Sequence, residues 1–426
     1  MTEIKRKIHV MGINSFEFQE LPMKLKDLFL KTVNIAIPDS YFKDIQLWVK
    51  KNAKQKKLLF ASKSDKALIN WLKSQKADVL LISRGDPLWF GIGRILLENF
   101  SKEELCFYPS NTCVQIAFSK LKIPWQEASY VSIHGRDSTK LTDTLKLKPL
   151  TLAILTDTKN KGLEIIQNNL IELNLYDSYE FWLCEELGLK NEKIRKLNVK
   201  DKFPSNISEL NIVILLRKEE LKRDNDIPLF GLKDNYFKTF EDRPNLLTKR
   251  EIRIQILADL ELPENGIIWD IGAGCGSIGL EALKLRPNLN LLSIDKRIGS
   301  KKLIIENAKR LGVSPLDIFE EDINSLLISN HINSLKNANR VIIGGCDKNT
   351  KLRIINKLSK DMNSGSIIAI PLIDIQIIKD IKETLIENNF SVSLNLIQTY
   401  KSLSISEGIR LEPNNPVFLI KGKKLI

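Results

Sequence analysis

Short apolar runs recur along the chain and alternate with segments whose apolar residues have helical spacing. In the first half, Val79–Ile82, Leu152–Leu155 and Ile212–Leu216 contain no polar residue. Such runs are typical of strands that are buried on both faces of a sheet. Between the runs, helices are predicted at 44–54 and 65–76. The pattern therefore predicts an α/β protein with parallel sheets.

In the second half, a predicted strand runs into a series of glycines. Ile267–Ile271 is apolar except for Asp270, and Gly272, Gly274 and Gly276 follow before a helical pattern begins. Glycines after a strand let the backbone approach a ligand where a Cβ would collide. The N-terminus of the next helix adds free N–H groups. The loop is therefore a candidate ligand site.

The glycine loop has two competing interpretations. Gly274–Gly279 matches the G-x-G-x-x-G pattern of dinucleotide-binding folds, in which the first glycine directly follows the strand. Here the glycine after the strand is Gly272, which begins G-x-G-x-G, with Asp270 two places before it. This spacing resembles motif I of the Rossmann-like S-adenosylmethionine methyltransferases. We favour a methyltransferase, with a nicotinamide oxidoreductase and a plain structural turn as the alternatives.

Two later carboxylates favour the same interpretation. Asp295 ends the next predicted strand, where an acid accepts hydrogen bonds from ribose hydroxyls in dinucleotide folds. Asp322 is expected to accept from an adenine amino group, with Ile323 beside the ring. The predicted cofactor-binding residues of the second half are Thr248, Asp270, Gly272, Ala273, Gly274, Cys275, Gly276, Asp295, Asp322 and Ile323.

The segment before the glycine loop adds a predicted helix and a family resemblance. Thr248 and Glu251 have the spacing of a capping box, which predicts a helix from Thr248 to Leu260. The segments 247–253 and 269–277 together resemble the decarboxylating precorrin methyltransferases that act at carbon-15. The resemblance covers roughly 228–422. It implies S-adenosyl-L-methionine as cofactor and an acidic tetrapyrrole (precorrin) as substrate.

The Gly344-Gly345 pair follows a predicted strand where enzymes that methylate nucleic-acid amines usually carry Asn or Asp-Pro-Pro-aromatic. Two glycines leave room for a large flat substrate and argue against a base-flipping enzyme. Cys346, next to the pair, is expected to serve packing. We expect no nucleic-acid partner.

The first half contains a second candidate site at Gly85-Asp86-Pro87, directly after the strand of Val79–Ile82. The tripeptide suits a turn, but an acid at a strand's carboxyl end also marks ligand sites in open α/β sheets. Several blocks between residues 6 and 218 resemble the tetrapyrrole methylases, closest to the type that methylates carbon-5 of a corrin precursor. The resemblance implies two α/β lobes with S-adenosylmethionine in the cleft between them. The implied cofactor contacts are Gly12, Gly85, Asp86, Pro87 and Ser110.

The first half departs from that family's pattern in its loops. The family's first loop is usually G-x-G-P-G, and here only Gly12 remains, followed by the bulky Phe16. A large side chain where backbone should approach a ligand is expected to weaken binding. Arg84 stands where a small Ser usually precedes Gly-Asp-Pro. The departures leave open a slow enzyme, an altered enzyme or a scaffold.

Length and charge bound the remaining possibilities. A chain of 426 residues is expected to form two or more domains. The boundary falls in the charged, turn-rich stretch 217–228, which gives a tetrapyrrole methylase domain at 1–220 and a Rossmann-like class I methyltransferase domain at 221–426. The net charge of +13 suits an acidic substrate, although lysine is abundant throughout. The predicted substrate contacts are His134, Arg136, Arg250, Gly344 and Gly345, with Lys249 and Arg253 as further cations.

Five scattered cysteines and three distant histidines make a zinc site improbable and suit a reducing cytoplasm. No residue is an evident cobalt ligand, so metal-free and cobalt-bound substrates both stay open. No apolar run is long enough for a membrane span. We expect a soluble, cytoplasmic homo-oligomer. Three alternatives remain: an RNA or protein methyltransferase with a basic N-terminal binding module, a nicotinamide oxidoreductase, and an enzyme in which only the C-terminal half is catalytic.

Overall fold

A computed structural model describes residues 6–53, 55, 57–62, 64–133, 138–156, 161–218, 227–243, 246–328, 338–406 and 408–426. The chain forms two compact units. The first holds most residues up to Lys218, and the second holds most residues from Ile227 onward. Both contain parallel strands that alternate with helices, so the predicted α/β class is confirmed.

The first sheet of the N-terminal unit consists of five parallel strands. They are β1 (Ile8–Ile13), β2 (Asn34–Pro38), β3 (Leu58–Ser62), β4 (Val79–Arg84) and β5 (Leu105–Tyr108). Their order is β3-β2-β4-β1-β5. The helices between them are α1 (Met23–Lys31), α2 (Asp39–Asn52), α3 (Asp65–Ser74) and α4 (Gly93–Asn99). Alternate residues of Val79–Ile82 in β4 enter two separate cores, which explains the absence of polar residues from this part of the strand.

A second sheet completes the N-terminal unit. Its strands are β6 (Ser129–Ser132), β7 (Thr151–Leu155), β8 (Tyr179–Glu185), β9 (Lys193–Leu197) and β10 (Asn211–Arg217). The order is β6-β7-β10-β8-β9, with β6 and β7 parallel and the other pairs antiparallel. The helices of this part are α5 (Cys113–Leu121), α6 (Thr139–Lys146) and α7 (Gly162–Glu172). Helix α5 packs its buried Val114, Ala117 and Phe118 in one core with residues of β7 and β10.

The C-terminal unit is built on one large sheet. Its strands are β11 (Gly266–Ile271), β12 (Leu289–Ile294), β13 (Asp317–Phe319), β14 (Arg340–Ile343), β15 (Ile367–Leu372), β16 (Phe390–Ile397) and, after the hairpin of β17 (Tyr400–Ile405) and β18 (Gly408–Pro413), β19 (Val417–Lys424). The order is β13-β12-β11-β14-β15-β19-β16, with only β19 antiparallel to both of its neighbours. The helices are α8 (Arg250–Asp259), α9 (Ser277–Leu285), α10 (Ser300–Leu311), α11 (Ile323–Ile328), α12 (Lys348–Leu358) and α13 (Ile378–Glu387).

Strand β11 lies at the point where the strand order of this sheet reverses. It pairs in parallel with β12 on one side and with β14 on the other. In open α/β sheets, a crevice for ligands forms outside the carboxyl ends of the strands at such a switch point. The glycine loop that follows Ile271 starts at this position.

The predicted capping box at the start of α8 is wrong. The helix begins at Arg250, its N-cap residue is Lys249, and no side chain caps it. The carbonyl of Thr248 accepts a hydrogen bond at 2.6 Å from the guanidinium of Arg253, one turn into the helix. Thr248 therefore stays outside the helix, because a buried arginine holds its backbone.

No described helix has the length and apolar character needed to cross a membrane.

Candidate functional site

The glycine loop of the C-terminal unit needs glycine for two different reasons. Gly272, Gly274 and Gly276 all have positive φ, at 72°, 60° and 78°. A Cβ on Gly272 would lie 2.7 Å from the backbone nitrogen of Gly345, so this glycine permits two loops to touch. A Cβ on Gly274 would meet nothing within 4 Å. Gly274 thus presents bare backbone to open space, as a close ligand requires.

The Asp295 carboxylate fixes the conformation of this loop. Its Oδ2 accepts a hydrogen bond from the Gly274 N–H at 2.7 Å, and its Oδ1 accepts one from the Arg297 N–H at 2.9 Å. Asp295 is 7% exposed and lines a cavity of about 170 Å³ at the carboxyl ends of β11 and β12. A carboxylate has about four acceptor positions, so two stay available for hydroxyl donors.

The Asp322 carboxylate lies on the wall of the same cavity. Its Oδ1 accepts from the backbone and side-chain nitrogens of Asn324, both at 2.8 Å. Its Oδ2 lies 3.8 Å from the ammonium of Lys296. The backbone N–H of Asn324 is the largest influence that lowers the pKa of Asp322, so the carboxylate is charged at neutral pH. Ile323, buried at the start of α11, completes this wall.

Asp270 lies behind the loop and is 2% exposed. Its carboxylate accepts a hydrogen bond from the Gly279 N–H at 3.0 Å, in the first turn of α9. Burial raises the pKa of Asp270 to about 7. The side chain therefore joins the end of β11 to the start of α9 and is not part of the cavity wall.

The loop after β14 forms the opposite side of the cavity. Gly345 is exposed, and a Cβ there would meet nothing within 4 Å. Gly344 is held more tightly, because its N–H donates to the Ile271 carbonyl at 2.8 Å and its carbonyl accepts from the ammonium of Lys351. Burial lowers the pKa of Lys351. The two glycines thus have distinct roles, with Gly344 anchored and Gly345 open.

The structure brings Gly272, Asp295, Asp322, Ile323 and Gly345 to one cavity. Other predicted residues of this site do not line it; they are Thr248, Asp270, Ala273, Gly274, Cys275, Gly276, Arg250 and Gly344. The Cys275 side chain is buried in the core, which raises the pKa of its thiol to about 11. A Cβ on Gly276 would contact Ile304 at 3.2 Å, so this glycine faces packed side chains.

Sequence reasoning missed part of the cavity wall. Asp347 and Thr350 line it, as do Lys296, Arg297 and Glu321. Asp347 is the N-cap of α12, and its carboxylate accepts from the Thr350 N–H at 3.0 Å. The Asp-x-x-Thr spacing after a strand was the available signal for this turn. Cys346, which was expected to serve packing, also lies on the wall.

The cations predicted to face an acidic substrate are engaged elsewhere. Arg253 is fully buried and bonds to Glu281 and Asp234, so its assignment to a substrate cleft is wrong. Lys249 lies 4.0 Å from Asp234. The Arg250 guanidinium donates through Nε to the Gly231 carbonyl at 2.6 Å.

The candidate cofactor site of the N-terminal unit lies where β1 and β4 end. The Gly85 N–H donates to the Ile13 carbonyl at 2.8 Å, and a Cβ on Gly12 would lie 2.3 Å from the Gly85 carbonyl oxygen. The same Cβ would lie 3.0 Å from Pro87 Cδ and from Ser110 Cβ. Gly12 therefore lets the loops after β1, β4 and β5 pack together.

Two cavities adjoin these loops, of about 290 Å³ and about 490 Å³. Gly85 lines the first, Ser110 lines the second, and Asp86 lines both, whereas Gly12 and Pro87 line neither. Asp86 Oδ1 accepts from the Leu88 N–H at 2.8 Å and so also shapes its own turn.

Phe16 does not occupy a place where backbone would approach a ligand. Its ring packs 5.6 Å from the ring of Phe29 and 6.3 Å from that of Trp48, and it lines neither cavity. The expected obstruction by this side chain is therefore absent from both cavities. The predicted substrate contacts His134 and Arg136 lie outside the described residues.

The described residues contain no group of three or more His, Cys, Asp or Glu side chains placed to hold a metal ion.

Two family models match this chain. Residues 26–202 match the tetrapyrrole (corrin/porphyrin) methylases, and residues 238–420 match the precorrin methyltransferase domain. A curated relative from a Sinorhizobium species, a precorrin-6Y C(5,15)-methyltransferase (decarboxylating), is 24% identical over 281 residues. That match covers 66% of this chain and 65% of the relative, so it spans just under two thirds of the relative's length.

Two shorter relatives each match part of this chain. A probable cobalt-precorrin-6B C(15)-methyltransferase (decarboxylating) from Saccharolobus solfataricus is 29% identical over 198 residues, which cover 46% of this chain and 96% of that protein. A probable cobalt-precorrin-7 C(5)-methyltransferase from Methanocaldococcus jannaschii is 26% identical over 153 residues, which cover 35% of this chain and 69% of that protein.

Proposed function

Because residues 26–202 match the tetrapyrrole methylases and residues 238–420 match the precorrin methyltransferase domain, we propose that the chain is a bifunctional methyltransferase of corrin (cobalamin) biosynthesis. It methylates a precorrin at carbon-5 and carbon-15 and removes an acetate carboxylate as carbon dioxide. The N-terminal domain, residues 1–220, acts at carbon-5. The C-terminal domain, residues 221–426, acts at carbon-15 and carries out the decarboxylation.

The cofactor proposed for both sites is S-adenosyl-L-methionine, which supplies an electrophilic methyl group on a sulfonium when bound. In the C-terminal domain, Asp295 would accept from the ribose hydroxyls and Asp322 from the adenine amine. The bare backbone at Gly274 and the open position at Gly345 fit a ligand that lies close to the loops. The observation that carries the proposal is this pair of carboxylates on one cavity at the switch point of the sheet.

In the proposed chemistry, the main task of the protein is to align the methyl donor with the substrate carbon, and acid–base catalysis is less important. A conjugated enamine-like carbon of the macrocycle is already nucleophilic, so the site needs no strong general base. When the acetate loses carbon dioxide, the conjugated ring can carry the electron pair to the carbon that is methylated. The exposed Gly345 leaves a flat substrate room beside the cavity.

An active N-terminal domain is supported over an inert scaffold. The two cavities at the β1, β4 and β5 loops are not filled by Phe16, whose ring packs among Phe29 and Trp48. Asp86 faces both cavities. A cytoplasmic setting is supported by five free cysteines.

We also propose that the protein is a homo-oligomer that associates through the hairpin of β17 and β18. Every described residue of both strands is exposed. One face of the hairpin carries Tyr400, Ile409 and Leu411 among serines and no charge. An isolated two-stranded sheet is only marginally stable in water, and a second copy offers the same uncharged face for a symmetric contact.

Product mass tests the proposed activity. The full-length protein is incubated with S-adenosylmethionine and a mixed pool of precorrins, and the macrocycle is weighed by mass spectrometry. We expect a gain of two methyl groups with the loss of carbon dioxide. Unchanged macrocycles, together with methylation of RNA in a parallel reaction, would replace this proposal with the RNA methyltransferase.

A further inference from the structure

Arg84 ends β4 beside the smaller cavity of the N-terminal unit. Its backbone is in register with Ile13 of β1, so it lies where these two strands end. Its guanidinium forms no ion pair with a carboxylate of the described residues, and its Cζ lies over the ring of Tyr41 at 5.7 Å from the ring centre. The resembled family usually has a small serine at this position.

Tyr41 makes a fixed platform for this guanidinium. The ring is 4% exposed, and its hydroxyl donates to the Asn14 carbonyl at 2.9 Å. A cation–π contact uses the charge of the guanidinium and does not require its N–H groups as hydrogen-bond donors. Arg84 is therefore held in place while its donors stay available to a ligand in the cavity.

The cavity itself favours a small zwitterion. Its volume, about 290 Å³, is close to the lower end of the roughly 300–1,000 Å³ typical of small-molecule sites. Besides Arg84, its wall includes the acids Asp86 and Glu209. A ligand that carries only carboxylates would meet both acids, whereas an amino acid offers them a cation and offers Arg84 an anion.

We propose that Arg84 binds the carboxylate of the amino-acid end of the cofactor in the N-terminal site. This rests on the proposed function, because it assumes that S-adenosylmethionine binds there. Because Arg84 is charged, the site should bind ligands with an amino-acid carboxylate more tightly than ligands without one. The family's usual serine has no charge with which to do so.

The test isolates the N-terminal site in the full-length protein. Asp295→Ala is used as the background, since it removes an acceptor from the C-terminal site. Calorimetry then compares S-adenosylhomocysteine with methylthioadenosine, which lacks the amino-acid end. Arg84→Ser and Arg84→Lys are added to this background. Arg94→Ser is the matched control, because Arg94 is exposed and pairs with Glu98 of its own helix.

We expect Arg84→Ser to weaken S-adenosylhomocysteine by about 10- to 100-fold, the usual effect of losing a hydrogen bond to a charged group. Methylthioadenosine affinity should not change. Arg84→Lys should keep part of the affinity, since it retains the charge without the planar fork. Arg94→Ser should change neither ligand.

Three results would overturn the assignment. Unchanged affinity for S-adenosylhomocysteine would do so, and so would an equal loss for both ligands, which would mean that Arg84 only supports the fold. The third concerns uroporphyrin, a polycarboxylated tetrapyrrole that is titrated in parallel. If Arg84→Ser lost affinity for uroporphyrin alone, Arg84 would bind a carboxylate of the substrate and not of the cofactor. The proposed function fails separately. In that case Arg84→Ser weakens S-adenosylhomocysteine as expected, but the unaltered protein methylates no precorrin.

Discussion

Arg253 donates through Nε to Glu281 Oε2 at 3.0 Å, and neither side chain is accessible to solvent. The other oxygen of Glu281 accepts from the N–H groups of Gly231 at 2.7 Å and Leu232 at 3.0 Å. Arg253 also holds the Thr248 carbonyl. This buried pair therefore fixes the backbone of Gly231, Leu232 and Thr248 onto α8 and α9.

Breaking this pair on one side should be costly. Glu281→Ala removes one of the two carboxylates that pair with the buried Arg253 guanidinium and also the acceptor of two backbone N–H groups, and we expect a loss of about 3–5 kcal/mol in the free energy of unfolding. Denaturant unfolding of the full-length protein measures this. Glu383→Ala, which breaks an exposed pair with Lys379 in the same unit, should cost less than about 1 kcal/mol. Equal costs for the two variants would show that the buried pair has no special role.

Asp270 should make the stability of the C-terminal unit depend on pH. Burial raises its pKa from 3.8 to about 7, so the folded state binds a proton that the unfolded state has released. The unfolding free energy should therefore fall as the pH rises from about 4 to about 7. Asp270→Asn removes this titration, and its Tm relative to the unaltered protein should rise between pH 5 and pH 8. The exposed Asp361→Asn is the control, and the same pH trend in both variants would rule out Asp270 as the source.

Gly272 and Gly345 should respond to substitution in opposite ways. Gly272→Ala places a Cβ 2.7 Å from the Gly345 nitrogen at a positive φ, so the main loss should be in stability, of about 1–3 kcal/mol. Gly345→Val adds its side chain in open space, so the Tm should stay near that of the unaltered protein. Affinity for S-adenosylhomocysteine should fall, because the valine narrows the cavity. Calorimetry showing full affinity in Gly345→Val would place the ligand elsewhere.

The hairpin proposal predicts a face-specific effect on assembly. Ile409→Lys with Leu411→Lys puts two charges on the uncharged face and should dissociate the oligomer. Leu403→Lys, on the face that already carries Lys401 and Arg410, should leave assembly intact. Sedimentation of the three proteins measures this. An unaltered protein that sediments as a monomer at all concentrations would end the proposal.

The sequence was most informative where chemistry is local. Apolar runs without polar residues predicted buried strands, because a strand covered on both faces has no place for a polar side chain. The direction of pairing did not follow from them, since Val79–Ile82 lies in a parallel sheet and Ile212–Leu216 pairs antiparallel on both sides. The glycines after Ile271 predicted a close backbone approach, and all three have positive φ. Asp295 was predicted at a strand's carboxyl end, and the structure places it on a cavity wall there.

Long-range contacts explain what the sequence could not predict. The Thr248 capping box has the correct local spacing, but Arg253 draws the Thr248 carbonyl toward a network that includes Glu281, 28 positions further on. Comparison of its loop with the glycine-rich G-x-G-P-G pattern leads us to expect that Phe16 would obstruct ligand binding. Its ring is instead taken up by Phe29 and Trp48, which no local pattern connects to it.

If this chain holds two methyltransferase sites, variants that damage one site at a time should give two different products. Precorrin is incubated with S-adenosylmethionine and the unaltered protein, Asp295→Ala or Asp86→Ala. The unaltered protein should add two methyl groups and release carbon dioxide. Asp295→Ala should add only one methyl group without releasing carbon dioxide, and Asp86→Ala should add one and release it. A doubly methylated product from Asp86→Ala, at the rate of the unaltered protein, would contradict an active N-terminal site.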